Sequence, residues 1–250
     1  MIYAQRPWKK NLPASLQDYQ FDSTSIPQNL SELFDKAVHD FSDAAAFSLV
    51  LPTGLTKTLS FKQIQYYSDL LARYFQHELQ LQPGDVVGLQ MPNCLHYPIA
   101  VFACWKAGLI ITNINPLYTA RELEYQLNDS QAKALIVSDM FLATFEKVIA
   151  KNNDLKSFAL ITASLSDFFD APYQALIAKK IETDAEAQGR SLTPSIDYFS
   201  FSQVFKKAEQ LPELQSQTTA IALYQYTGGT TGRSKGAIIT HQNLLSLVRM

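Results

Sequence analysis

"AIALYQYTGGTTGRSKGAIIT" occupies Ala220–Thr240. Its opening, Ala220–Tyr226, is apolar at nearly every position and predicts a strand buried on both faces. Its close, Ala237–Thr240, predicts a second strand. Between them, Thr227–Gly236 holds four of the chain's nine glycines (Gly228, Gly229, Gly232 and Gly236), three threonines (Thr227, Thr230 and Thr231), Arg233 and Lys235. Glycine permits positive φ and close approach of backbone to a ligand. Successive N–H groups in such a loop form a concave nest that attracts anions. Threonine hydroxyls add donors, and Lys235 adds a compact mobile charge suited to a polyphosphate.

The P-loop spacing G-x-x-x-x-G-K-[ST] fails here. Five residues after Gly228 stands Arg233, Ser234 takes the second-glycine place counted from Gly229, and Gly236 follows Lys235. A P-loop also enters a helix, whose N-terminus helps to hold the phosphate, whereas Ala237–Thr240 is strand-like. A plain hairpin turn is the competing reading. Hairpin loops are usually two to five residues long with one or two glycines, and this stretch exceeds that need. Phosphate binding in a strand-to-strand loop is the stronger reading.

Outward from this stretch, helices and strands alternate. Helices are predicted over Ser31–Phe41, from Ser60 to about Gln80, from Asn93 to Gly108, from Thr119 to Asn128, from an Asp139 cap to Ala150, near Ala175–Ala187, over Phe201–Ala208 and from His241. Ser60 with Gln63, and Thr119 with Glu122, have capping-box spacing, so each pair can satisfy two orphan backbone N–H groups. Strands are predicted at Ala45–Leu51 and Thr56–Ser60, joined at Thr53-Gly54, and at Val86–Met91, Leu109–Ile114, Leu135–Val137 and Phe158–Thr162. This alternation implies an α/β fold with a largely parallel sheet flanked by helices.

The 250 residues suit one large domain or two small ones. With 47% hydrophobic and 18% charged residues, a sizeable core is expected. Net charge is −2 with no run of Lys or Arg, which argues against a nucleic-acid partner. The first residues carry no apolar core of a secretory signal. The longest apolar stretch, Tyr97–Thr112, is interrupted by Lys106 and Gly108 and is shorter than the roughly 20 residues of a membrane span. Cys94 and Cys104 read as two buried free thiols, pointing to a reducing, cytoplasmic setting.

Other chemistry-bearing residues have structural explanations. His96 reads as packed in an apolar helix, and His241 as capping or orienting the start of its own helix. Tyr97, Phe102 and Trp105 fall at helical spacing and read as core. Glu122 and Glu124 belong to a helix start, and Arg233 reads as solvated. No nucleophile–base set or metal-ligand spacing stands out, and no catalytic residue is assigned. An apolar edge is expected near Ala237–Met250.

Tyr226–Ala237 resembles the phosphate-binding signature of the AMP-forming acyl- and aryl-CoA synthetases, an adenylate-forming superfamily that includes the luciferases. The pattern is [ST]-[SG]-G-[ST]-T-G-x-x-K-G, and Thr227, Gly228, Gly229, Thr230, Thr231, Gly232, Lys235 and Gly236 match it. Ser234 stands where many members have proline. Thr240-His241-Gln242-Asn243 resembles the T-H-x-N that follows. Residues 84–138, above all "NPLYTARELEYQLNDS" (Asn115–Ser130), are similar to the first subdomain of bacterial long-chain fatty-acid–CoA ligases, as is "RPWKKNLPASL" near the start.

The resemblance implies a luciferase-like fold, with an arm over residues 1–28 and part of an adenylation domain over 29–250. It implies two half-reactions: a fatty acid attacks the α-phosphate of Mg-ATP, and the thiol of coenzyme A then displaces AMP. By the same resemblance, Tyr226–Gly232, Lys235 and Gly236 hold the β- and γ-phosphates, with Thr227 or Thr231 on Mg²⁺. Peripheral contact with the inner membrane and a homodimer are family expectations. The adenine segment, acyl pocket and small C-terminal domain with its catalytic lysine would lie beyond position 250. The chain then carries the phosphate loop only and is expected to be inactive alone; a non-catalytic remnant or interaction fragment is the alternative.

Overall fold

The computed structural model describes residues 10–14, 27–152, 158–190, 192–228 and 233–248. The arm expected over residues 1–28 therefore falls largely outside the described residues, as do Gly229, Thr230, Thr231 and Gly232.

Nine strands are described: β1 (Ala45–Val50), β2 (Thr56–Ser60), β3 (Val86–Gln90), β4 (Ile110–Asn113), β5 (Ala132–Ser138), β6 (Ala159–Ala163), β7 (Phe199–Ser200), β8 (Ile221–Thr227) and β9 (Lys235–Thr240). The α-helices are α1 (Leu30–Phe41), α2 (Phe61–Arg73), α3 (His96–Lys106), α4 (Ala120–Asp129), α5 (Leu142–Ile149), α6 (Tyr173–Ala187), α7 (Phe201–Ala208) and α8 (His241–Val248). β1 and β2 form a separate antiparallel hairpin, turned at Gly54 with φ 84°. The main sheet has the order β7-β6-β5-β3-β4-β8-β9, parallel except for the antiparallel β8–β9 pair.

The central strands are apolar on both faces, and their period-2 alternation feeds two cores. Val87, Leu89, Ile111 and Ile136 face one layer, built from α1, α2, α3 and α7 with Phe34, Ile64, Ile99 and Phe201. Leu135, Val137 and Leu160 face the other, built from α4 and α5 with Leu123, Leu127 and Phe145. Each fully buried Leu, Ile or Phe contributes about 1.5–3 kcal/mol. Both predicted capping boxes form, Ser60 with Gln63 and Thr119 with Glu122, and a third, Ser200 with Gln203, opens α7. The buried Lys106 ammonium joins three helices: it lies 2.6 Å from Asp69 of α2 and 3.2 Å from Asp35 of α1.

Several expectations are corrected. The helix after Ser60 runs to Glu78, near the expected Gln80, but its last turn, Tyr74–Glu78, is a π-helix, where the adjacent Tyr74 and Phe75 are both fully buried. Asn93 does not open α3. That helix starts at His96 with no side-chain cap, and Pro98 in its first turn needs no hydrogen bond. Asp139 does not cap a helix either. It starts a short 3₁₀ turn, Asp139–Phe141, and its buried carboxylate accepts from the Ser138 hydroxyl at 3.3 Å. β8 is not buried on both faces. Ala222 and Tyr226 are buried and most positions between are half-exposed, because its outer neighbour β9 is the sheet edge. As expected, apolar surface is exposed there, at Ile238, Leu247 and Val248.

Candidate functional site

Chain direction nominates two places at the carboxyl edge of this sheet. In open α/β sheets, ligands bind outside the carboxyl ends of strands where neighbouring connections diverge. The chain leaves β3 towards β4 but β5 towards β6, and it leaves β4 back towards β5 but β8 outward to β9. The Tyr226–Ala237 stretch lies at the second divergence.

There the chain forms a hairpin. Tyr226 pairs with Gly236 and Thr227 with Lys235, so residues 228–234 form the loop. The strand-to-strand context read from the sequence therefore holds: the chain continues from Lys235 as a strand, not a helix. Opposed residues in a ladder share a face, and successive residues alternate. Thr227 and Lys235 thus project from one face, both exposed, and Tyr226 and Gly236 occupy the other. Among the described residues Lys235 has no ion-pair partner.

The Tyr226 face packs against α4. The Tyr226 hydroxyl donates to Asp129 Oδ2 at 2.6 Å, and the Tyr125 hydroxyl donates to the Ser234 carbonyl at 2.9 Å. Burial, and then the Asp129 hydrogen bond, push the Tyr226 pKa far upward, so the phenol keeps its proton. Arg233 is exposed but not simply solvated: its guanidinium lies 5.6 Å from the centre of the Tyr125 ring. A cleft of about 1130 Å³, lined by Tyr118, Arg121, Tyr125, Asp129, Gly228 and Arg233, separates α4 from the loop. A second recess of about 500 Å³, between Asn113, Asn115, Tyr226 and Gly228, opens at the ends of β4 and β8. Its wall is fixed from behind. Asn113 accepts from the Tyr97 hydroxyl at 3.1 Å, and the buried Gln126 amide donates to Thr112 Oγ1 and to the Asn113 carbonyl, each at 2.8 Å.

The glycine argument is corrected for two positions. Neither Gly228 nor Gly236 has positive φ. Gly236 lies in β9, where an added Cβ would stand 3.0 Å from the Tyr226 ring, so a side chain there would crowd that ring and force it to give way. Gly228 faces open space, with nothing within 4 Å of an added Cβ. Gly229 and Gly232 lie outside the described residues. Tyr125 and Asp129 were missed by sequence reasoning. Their four-residue spacing on one helix face was legible, but nothing local marked that face as the partner of a loop about a hundred residues later.

At the first divergence the polar groups are enclosed. His96 is 1% exposed, and its Nε2 lies 2.9 Å from Asp167 Oδ2. Phe168 and Phe201 enclose the ring, with centroids 4.7 and 4.6 Å away. Burial alone would lower its pKa, but the hydrogen bond to Asp167 overrides that and helps lift it to about 9. His96 is therefore packed, as expected, and also ion-paired. His241 is not the cap of α8. Thr240 and Asn243 bond reciprocally there, while the His241 Nδ1 accepts the Leu30 N–H at 3.3 Å, tying α8 to α1. Glu122 and Glu124 serve the Thr119 cap and the Asn152 amide respectively. Cys94 and Cys104 are buried free thiols. No described helix is long and apolar enough to cross a membrane.

Comparison with known proteins agrees with this geometry. Residues 34–250 match the family described as AMP-binding enzyme. The chain is 35% identical over 244 residues to a long-chain-fatty-acid–CoA ligase of Haemophilus influenzae, covering 98% of this chain and 42% of the relative. It is 32% identical to one of Bacillus subtilis, covering 100% of this chain and 42% of the relative. The chain thus spans less than half the length of these relatives. Among solved structures, the A-PCP didomain of a carboxylic acid reductase from Segniliparus rugosus, in complex with AMP, superposes with a TM-score of 0.66 at 16% identity. That match covers 88% of this chain and 33% of the other, and it shows the shared fold.

Proposed function

The chain belongs to the AMP-binding enzyme family, and we propose that it is the ATP-phosphate-binding part of a long-chain fatty-acid–CoA ligase. In the proposed reaction a fatty carboxylate attacks the α-phosphate of ATP, releasing pyrophosphate, and the coenzyme A thiol then displaces AMP from the acyl-adenylate. In-line attack of one anion on another depends on charge neutralisation and positioning. This chain's residues supply those: the Lys235 ammonium and the Thr227 hydroxyl share the open face of the hairpin, beside the unobstructed Gly228 backbone. That arrangement carries the proposal. Thr230, Thr231, Gly229 and Gly232 complete the loop in this reading.

The donor set fits a polyphosphate better than a bare metal ion. Mg²⁺ favours octahedral oxygen ligands and is usually held by one or two carboxylates plus substrate phosphates. Among the described residues no group of three or more His, Cys, Asp or Glu is placed to hold a metal. Thr227 and Thr231 would complete the shell of an ion carried in by the nucleotide, which would offset phosphate charge. The two buried thiols favour a cytoplasmic setting.

The test is ATP–pyrophosphate exchange by the protein at its native length, across palmitate, shorter acids and aryl acids. Palmitate-dependent exchange is expected, with Lys235→Ala lowering it about a hundredfold. Exchange on aryl acids alone would move the protein to another branch of the family, and no exchange on any acid would end the ligase reading.

A further inference from the structure

We propose that the exposed face of α4 is a positioning brace for the phosphate hairpin, with Tyr125 and Asp129 holding its two legs at the spacing that ATP binding requires. The inference rests on the phosphate-loop reading of the preceding section. Tyr125 and Asp129 are four residues apart and so share one helix face. Each takes a different leg. Asp129 receives the hydroxyl of Tyr226, before the loop, and Tyr125 donates to the carbonyl of Ser234, after it. Tyr226 also pairs with Gly236 across the ladder, with its ring lying over the glycine, which joins the two legs to each other. Arg233 rests on the Tyr125 ring, adding a third tie on the same side.

Every tie to α4 runs through Tyr226, Arg233 or Ser234, while Thr227 and Lys235 project from the face opposite Tyr226. α4 therefore holds the hairpin from behind and leaves the ligand face unobstructed. A ligand that needs one arrangement of the two legs binds in proportion to the population of that arrangement. Fixing both legs raises that population without any contact between α4 and the nucleotide. Tyr125 and Asp129 are thus positioning residues, acting through Ser234 and Tyr226.

The test compares Asp129→Ala, Asp129→Asn, Tyr125→Phe and Lys235→Ala in the protein at native length. Readouts are the KM for ATP, the KM for the fatty acid, thermal stability, and hydrogen exchange of the hairpin amides. Asp129→Ala and Tyr125→Phe are each expected to raise the KM for ATP about five- to tenfold, with the acid KM unchanged within about twofold. Hairpin amides should exchange faster in both. Asp129→Asn keeps an acceptor oxygen for Tyr226 and should recover most of the ATP affinity. An unchanged ATP KM in Asp129→Ala and Tyr125→Phe, alongside a weakened Lys235→Ala, overturns the brace and leaves the loop reading standing. Equal loss for both substrates with a lowered melting temperature also overturns it, because the role is then structural. If Lys235→Ala leaves ATP binding intact, the loop reading fails and the brace falls with it.

Discussion

At the carboxyl ends of β3, β5 and β6, His96, Asp139 and Asp167 are enclosed with Phe168 and Phe201 above the sheet. At the carboxyl ends of β4 and β8, Asn113, Tyr226 and Gly228 border open clefts, and Lys235 is exposed on the other face of the hairpin. Both groups stand where strand connections diverge, so topology nominates both. Enclosure separates them. In the first cluster His96 is paired with Asp167 and Asp139 accepts from Ser138, and His96 ties the start of α3 to the segment after β6. In the second, one face is occupied by α4 and the other keeps a lysine and a hydroxyl with no partner among the described residues. A divergence point in a parallel sheet is therefore a site only where some of its polar groups remain uncommitted.

The strongest test of that contrast removes a partner from the enclosed pair. His96→Ala leaves the Asp167 carboxylate in a mostly enclosed position without its counter-charge, and the expected loss is about 3 kcal/mol of stability. Urea denaturation measures it, and ATP affinity measured on the folded variant should not move. A variant of wild-type stability that binds ATP poorly would reverse the roles assigned to the two clusters.

Next in size is a pH effect on the unmodified protein. The folded-state pKa of His96 is raised, to about 9 from 6.5. Its contribution to stability is therefore complete below about pH 6.5 and lost as the pH rises towards about 9, on the order of 3 kcal/mol in total. Denaturation midpoints taken across that range should fall, and in His96→Ala the slope should flatten. A wild-type profile independent of pH across that window would show that His96 is neutral in the fold.

The smallest expected effect compares two glycines of the hairpin. Gly236→Ala crowds the Tyr226 ring and should cost about 1 kcal/mol. Gly228→Ala meets nothing, so its stability should stay within about 0.5 kcal/mol of wild type, while its ATP affinity falls because the methyl group enters the proposed phosphate cradle. Calorimetric titration with ATP beside thermal melts separates the two. If Gly228→Ala binds ATP normally, the open space beside Gly228 is not where phosphate sits.

Features legible from the sequence were local ones. The Ser60–Gln63 and Thr119–Glu122 caps are three residues across, so their spacing is the interaction itself. The hairpin was legible because two β-like runs flank a glycine-rich stretch too long for an ordinary turn. Features that were missed depend on context. Asp139 has the composition of a cap, but burial behind β5 committed its carboxylate to Ser138. His241 sits at a helix start, yet its ring nitrogen accepts from Leu30, 211 residues earlier. β8 has the composition of a central strand, and its place beside the edge strand leaves it half-covered.

The sequence by itself determined an α/β chain with a strand–loop–strand rich in threonine, glycine and lysine, because periodicity and caps are written within a few residues. Only the tertiary structure decided which helix stands behind that loop and which polar groups stay free. Asp129 and Tyr226 are 97 residues apart, Tyr125 and Ser234 109, and His96 and Asp167 71. Their meetings follow from strand order in a parallel sheet, which is set by burial of both faces at once and by no single segment.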